Sequence, residues 1–362
     1  MSEITVSAAV RAKQWDDGCF KEYVRGNRFK RYMGKSANSI IQVKNNLTKK
    51  AGDAITINLV GALDSASGPN DGSTQLVGAE KELPNEGHRI TVGVVRDAVV
   101  VNTEEEQASP FDIRDAGRVA LMDLAKRYMR NDIITALGSV HGVAYADATA
   151  GQRNAWNVAN SDRILYGDDI GNYNATHSTA LSAIASGETL DKAMVSKLKR
   201  IAQAAVAANG DGIRPVTYGE DEETYVLFAS ARAFRDLKLD MADQHKDAEK
   251  RGKENPLFTG TTSLYWDGVV IREIPEIASL GLVGAGAAVA VDPLYFCGAQ
   301  ALGVAWAKTL KTTIRKEDDY GFRHGLGFFE MRGIEKLQWE QGESTAKDWG
   351  VVTGFCAAAA DA

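Results

Sequence analysis

The sequence predicts an α+β fold in which strands and helices occupy separate regions of the chain. Three observations carry this. Runs with a period of two, "AITINLV" (54–60) and "RITVGVVRDAVVV" (89–101), put Ile55, Ile57 and Leu59, and then Ile90, Val92 and Val94, on one side of a strand. One long helical stretch, "ASPFDIRDAGRVALMDLAKRYMRNDIITALG" (108–138), follows them. The remainder mixes strands and helices with no internal repeat.

In chain order, residues 1–50 are polar and basic, with Lys13, Lys21, Arg25, Arg28, Lys30, Arg31, Lys35 and Lys44 among them. They read as an extended arm that gains structure from neighbours. The strands at 54–60 and 89–101 flank the polar, Gly-rich "GALDSASGPNDGSTQLVGAEKELPNEGH", far longer than an ordinary hairpin loop. Such a projection has a use when another chain covers its edges. In the long helix, Ser109 is the expected N-cap, Pro110 stands at the first helical position, Asp112 complements the dipole and Gly138 closes it. Leu121, Leu124 and Tyr128 form one apolar stripe and Met122, Met129, Ile133 and Leu137 another, so cover on more than one side is expected.

Residues 141–187 lack a clear period and read as loop with short strands. A second helix is expected over 189–210, with Leu190, Met194, Leu198, Ile201 and Ala205 on one face. "TYVLFA" (224–229) is a buried strand entering a helix at 230–239, and strands follow at 268–277 and 287–307. The charge-rich stretch 240–255 mixes signs as a solvated helix face does.

The chain has 362 residues, a net charge of -6 and 44% hydrophobic residues, the composition of a soluble globular protein of two or three subdomains. That charge argues against a surface built to grip nucleic acid. Cys19, Cys297 and Cys356 are scattered and odd in number, which suits a reducing compartment and no disulfide framework. No secretory signal and no membrane span is recognised.

Motifs for chemistry are sparse. "GLVGAGAAVAVDP" (281–293) holds Gly284 and Gly286 in a partial dinucleotide fingerprint, but a strand and an Asp292-Pro293 stop are expected after it, where a fingerprint needs a helix. "GKS" at 34–36 lacks the glycine of a phosphate loop, since Phe29 stands there. His88, His141, His177, His245 and His324 are too scattered for a metal triad and read as surface or interface side chains. "NLT" (46–48) and "NAT" (174–176) are chance matches to glycosylation acceptors. No catalytic, cofactor-binding or metal-binding residue is expected.

"DDYGFRHGLGFF" (318–329) combines Asp318, Asp319, Arg323 and His324 and invites an acid/base reading. As a strand over 321–334 it puts Phe322, His324, Leu326 and Phe328 on one face and Gly325, Gly327, Phe329 and Met331 on the other. Packing is favoured over catalysis, the two glycines being expected to let the long helix lie against the strand.

"YVLFASARAFRDLK" (225–238), "ENPLFTGTTSLYWDGVVIREIPEI" (254–277), "CGAQALGVAWAK" (297–308) and "DDYGFRHGLGFFEMRGIEKL" (318–337) occur in an order that resembles the major capsid proteins of tailed phages. The fold this implies is of the Hong Kong 97 type, and the local text is similar to the branch found in podophages that carry a virion RNA polymerase. "DIRDAGRVALMDLAKRYMRNDIITAL" (112–137) resembles that family's spine helix. The resemblance implies an N-terminal arm (1–50), an E-loop (51–103), a peripheral domain (104–189) with its spine helix at 109–138, an axial domain (190–310) and peripheral return strands with a C-terminal tail (311–362).

The function so implied is structural. Hexamers and pentamers of the chain would form an icosahedral head around double-stranded DNA, held without sequence-specific contacts. Scaffolding, portal and decoration proteins are the implied partners, with assembly in the bacterial cytoplasm and residence in the virion. Lys81 lies in the loop that some relatives cross-link to Asn, but no motif here specifies that bond. The rival readings are a cellular, encapsulin-like shell around cargo and, more distantly, a nucleotide-linked oxidoreductase using Gly284 and Gly286.

Overall fold

The computed structural model describes residues 28–45, 53–63, 68–70, 72, 75–102, 104, 113–206, 212–218, 222–242, 263–314 and 323–359. The strands β1 (Met33–Gly34), β2 (Ile41–Lys44), β3 (Ala54–Val60), β4 (Asn85–Thr91) and β5 (Gly93–Asn102) come first, then helix α1 (Ile113–Leu137). The middle holds α2 (Ala150–Ala159), β6 (Ile164–Tyr166), α3 (His177–Ser182), α4 (Lys192–Ala204), β7 (Val216–Tyr218), β8 (Glu222–Ala229) and α5 (Ala231–Asp240). The last part is β9 (Ser263–Trp266), β10 (Val269–Glu273), β11 (Val291–Cys297), β12 (Leu302–Ile314) and β13 (Arg323–Lys336), then β14 (Gln338–Trp339), β15 (Lys347–Asp348) and β16 (Val351–Ala357).

Two sheets organise the chain. The first runs β1-β2-β12-β13-β5, and the second β6-β16-β11-β8-β10-β9 with β7 beside β8. β3 and β4 form a separate hairpin, paired from Ala54 opposite Thr91 to Val60 opposite Asn85. The stretch expected as one strand over 89–101 is therefore two. Val92 donates its N–H to Asp53 and ends the hairpin, and from Gly93 the chain pairs with β13 instead.

Helix α1, about 38 Å long at 1.5 Å per residue, lies across the first sheet. Leu121, Met122, Ala125, Met129, Ile133 and Leu137 are buried there with Trp306, Leu310 and Phe328. The opposite face carries the exposed Asp123–Arg127 pair, so the described residues cover the helix on one side, where the two stripes led us to expect cover on more than one. Its expected cap residues Ser109, Pro110 and Asp112 lie outside the described residues, as does most of 240–255.

The second sheet is buried on both sides, which is why its strands are continuous apolar runs without alternation. α4 and α5 cover one side, with Met194, Leu198, Phe234 and Leu237 against Leu227, Phe296 and Val352. Trp156, Tyr166, Leu181 and Ile184 meet Val291 and Phe355 on the other.

The segment 141–187, expected as loop with short strands, holds the short strand β6 and also two helices, α2 and α3, that its weak period hid. Thr149 and Gln152 cap α2 reciprocally, and the helix buries Trp156 and Asn157 together, so polarity masks its inner face. α4 starts later than expected because Asp191 is its N-cap, and it ends at Ala204, since Ala205 is already extended. The strand expected over 268–277 stops at Glu273. Asp292-Pro293 does not end a strand but lies inside β11. β8 joins β11 only from Tyr295 onward, so Pro293 sits where no N–H is required on that side.

Candidate assembly surfaces

The root of the β3–β4 hairpin is built by alternation. Ile55, Ile57, Leu59 and Ile90 point inward and are buried with Ala305 and Leu337, while Thr56, Asn58 and Val60 point to solvent. The Trp339 and Trp349 rings stack at 5.4 Å beside them. Two glycines admit the hairpin to the back of the first sheet. A Cβ on Gly303 would stand 2.4 Å from Ile90 Cδ1, and one on Gly333 would stand 2.2 Å from the carbonyl oxygen of Thr91. These are the glycines whose smallness positions an element.

Gly325 and Gly327 do not receive the helix. Leu326 and Phe328 face α1, with Phe328 6.5 Å from the Tyr128 ring, whereas a Cβ on Gly327 would meet Thr313 and Ala98 across the sheet. The expected face assignment is reversed, because the helix packs on the large residues of β13 and the small ones turn away. His324 pairs with Val101 through the strand register.

A polar clamp locks the hairpin root to the chain after β13. Gln341 accepts from Arg89 N–H through Oε1 at 2.7 Å and donates through Nε2 to Arg89 O at 2.9 Å. Glu86 accepts from the N–H groups of Glu340 and Gln341 at 2.6 and 3.2 Å. Glu335 Oε1 accepts from Thr91 N–H at 3.1 Å. His88, only 1% exposed, accepts from Gln338 N–H at Nδ1, which leaves Nε2–H to face Glu335 at 3.3 Å. His88 is thus a structural core histidine, contrary to the surface expectation.

Beyond this root, described residues between Val60 and Asn85 bond to one another. Gly61 N–H donates to Pro84 O, Asn70 to Ala79 O and Lys81 Nζ to Gly68 O. Leu63, Leu76, Val77 and Leu83 are 50 to 77% exposed along it. A second apolar surface is the back of the first sheet, where Val94 and Val100 alternate outward from β5. Among the described strands β5 lies at the edge of this sheet.

Buried charges fasten the interior. Arg332 donates to Glu330 at 2.6 Å and reaches Asp132 of α1 at 2.6 Å, tying helix to sheet. Lys336 and Asp348 pair at 2.7 Å, both 1% exposed, and Trp156 Nε1 and Gln338 Nε2 also donate to Asp348. With both carboxylate oxygens engaged, Asp348 of β15 ties β13 and α2 together at tolerable desolvation cost.

The groups whose chemistry invites a catalytic reading are occupied structurally. Tyr166 donates to Asn157 Oδ1, so its oxygen accepts from His177 Nδ1–H at 2.6 Å, and His177 Nε2 accepts from Tyr145 at 2.8 Å. Burial, then the nearby Arg153 charge, lowers the His177 pKa to about 4. Burial also lowers that of His141. Cys297 and Cys356 are buried thiols whose pKa burial pushes up, away from the reactive thiolate. Gly284 and Gly286 form a tight turn, Gly286 with φ of 64°, followed by β11 and not by a helix, so no pyrophosphate site exists there. Among the described residues no three His, Cys, Asp or Glu side chains converge as a metal would require. No described helix is long and apolar enough to cross a membrane.

No curated protein sequence matches the chain significantly. Solved structures do. A chain of the cyanophage Pam1 capsid asymmetric unit is similar over 100% of both chains, with 33% identity and a TM-score of 0.81. The capsid of Ralstonia phage GP4 matches 93% of this chain and 92% of its own, with 21% identity and a TM-score of 0.74. The head of Helicobacter pylori bacteriophage KHP40 shares the fold at 12% identity, over 92% and 91% of the two chains, with a TM-score of 0.64. The mixed α+β architecture is that of the Hong Kong 97-like capsid fold. The family described as phage capsid protein matches residues 3–360, and the chain belongs to it as a structural, non-enzymatic subunit of the virion.

Proposed function

We propose that the chain closes into an icosahedral head of hexamers and pentamers around double-stranded DNA, without sequence-specific contacts to it. The observation that carries this is the projecting hairpin. Its root is clamped, while Leu63, Leu76, Val77 and Leu83 stand exposed beyond it. Apolar groups on so long an arm gain by burial against a neighbouring copy. The branch of podophages carrying a virion RNA polymerase is the proposed origin, with portal, scaffolding and decoration proteins as partners and the host cytoplasm as assembly site.

The proposed division of labour is an arm over 1–50, an E-loop over 51–103, a peripheral domain over 104–189 and 311–362, and an axial domain over 190–310. Native mass spectrometry and negative-stain electron microscopy of the purified chain test the assembly. Hexamers, pentamers or closed shells are expected. A stable monomer of 39.0 kDa under all salt and crowding conditions overturns it.

A further inference from the structure

The buried pair of Lys336 and Asp348 is placed for more than attraction. Lys336 ends β13 and Asp348 lies in β15, both side chains are 1% exposed, and Nζ stands 2.7 Å from Oδ2. By carboxylate geometry the same nitrogen is then about 3.5 Å from Cγ, at the limit of near-attack range.

Each partner is prepared for one role. Asp348 Oδ1 accepts from Gln338 Nε2 at 2.9 Å and Oδ2 accepts from Trp156 Nε1 at 3.0 Å, so donors already stand on both oxygens of the electrophile. Lys336 is served less well. Besides Oδ2, its Nζ has the Trp156 ring, centred 5.3 Å away, and no second hydrogen-bond acceptor among the described residues. An ammonium with three N–H groups is poorly solvated there, which favours passing a proton to Oδ2 and leaving a neutral, nucleophilic amine. A cavity of about 320 Å³ borders Lys336, beside Ser139 and Gly142, and gives a released water a way out.

We propose that Lys336 and Asp348 condense into an intrachain amide. Nζ attacks Cγ and the N–C bond forms, negative charge gathers on Oδ1 where Gln338 holds it, and the Cγ–Oδ2 bond breaks. Two of the three ammonium protons leave with Oδ2 as water and the third stays on the amide nitrogen. An ammonium and a carboxylate thus become one neutral amide and one water, with no co-reactant. The loss of two buried charges favours the product in a site this dry. The bond closes residues 336–348 into a ring that contains Glu340 and Gln341, through which the clamp grips β4. A covalent ring keeps that grip in shape.

Intact mass spectrometry of the purified, denatured full-length chain tests this without reference to assembly. The expected mass is about 18 Da, one water, below that of the sequence. Trypsin should fail after Lys336, and the digest should hold a branched peptide joining Lys336 to Asp348. Lys336→Arg keeps a cation beside Asp348 but cannot form the amide, so its mass should be undiminished. Gln338→Leu, which removes the donor on Oδ1, should slow the condensation about 100-fold, read from the mass of freshly made chain over time. Melting curves verify that both variants fold. A chain of full mass overturns the proposal, and that measurement needs no variant. So does a missing water traced to any other residues, or an unchanged rate in the folded Gln338→Leu variant.

Discussion

Gln341 pairs with Arg89 as a strand would, offering one side-chain amide to both backbone groups of β4 at 2.7 and 2.9 Å. A long projection is thus aligned by a residue far along the chain. Gln341→Ala should leave the fold intact and cost about 1 kcal/mol, the net worth of such bonds. Electron microscopy should show fewer closed shells and more misshapen ones, with a melting temperature only slightly lowered.

The glycine pair of the sheet back provides a graded test. Gly333→Ala places a methyl against the Thr91 carbonyl, which is backbone and cannot yield, so a loss of about 2–3 kcal/mol is expected. Gly327→Ala meets Thr313 and Ala98 at 3.2 and 3.3 Å and should cost less. Chemical denaturation of both variants checks the order.

Removing residues 62–83 in favour of Asn-Gly should leave a folded subunit, because β3 and β4 keep their pairing and their clamp. Circular dichroism should be near normal while assembly fails. Normally stable capsids from this variant would show the projection to be dispensable.

Acid should weaken the fold through His177. Its pKa is about 4 in the folded chain and near 6.5 unfolded, so the folded state disfavours the protonated form. The stability this contributes is present above pH 6.5 and lost as pH falls toward 4, amounting to roughly 3 kcal/mol at most. His177→Gln should flatten that part of the pH–stability curve, measured by urea titration.

Lys336→Met strands Asp348 in the interior and should cost about 3–5 kcal/mol. Lys336→Met with Asp348→Leu should recover part of it. The remaining deficit reports the bonds from Trp156 and Gln338, which also depend on Asp348.

Much of this architecture was legible where one local rule dominates. β3 alternates cleanly because one side is buried, and α1 and α5 show their apolar stripes. Legibility failed where distant residues decide. Nothing near Val92 announces that the chain leaves one partner strand for another, since Asp53 and β13 settle it. α2 hid because Asn157 and Asn160 are buried polar residues whose partners lie elsewhere in the fold. Exposed apolar residues in a polar loop, Leu76 and Val77 above all, were the available sign of an assembly surface.

At the β4 end only Val92 separates the hairpin from the first sheet, yet the paired strands are seated along their whole length by Ile55, Ile57 and Leu59 and by the bonds to Glu86 and Arg89. Seven paired residues reach about 23 Å, so a seating tilted by roughly 5° would move the far end of the strands by about 2 Å, a distance that decides whether side chains interlock. The close fit of the hairpin on Gly303 and Gly333 therefore limits how much curvature a shell made from these subunits can accept before neighbouring copies lose register.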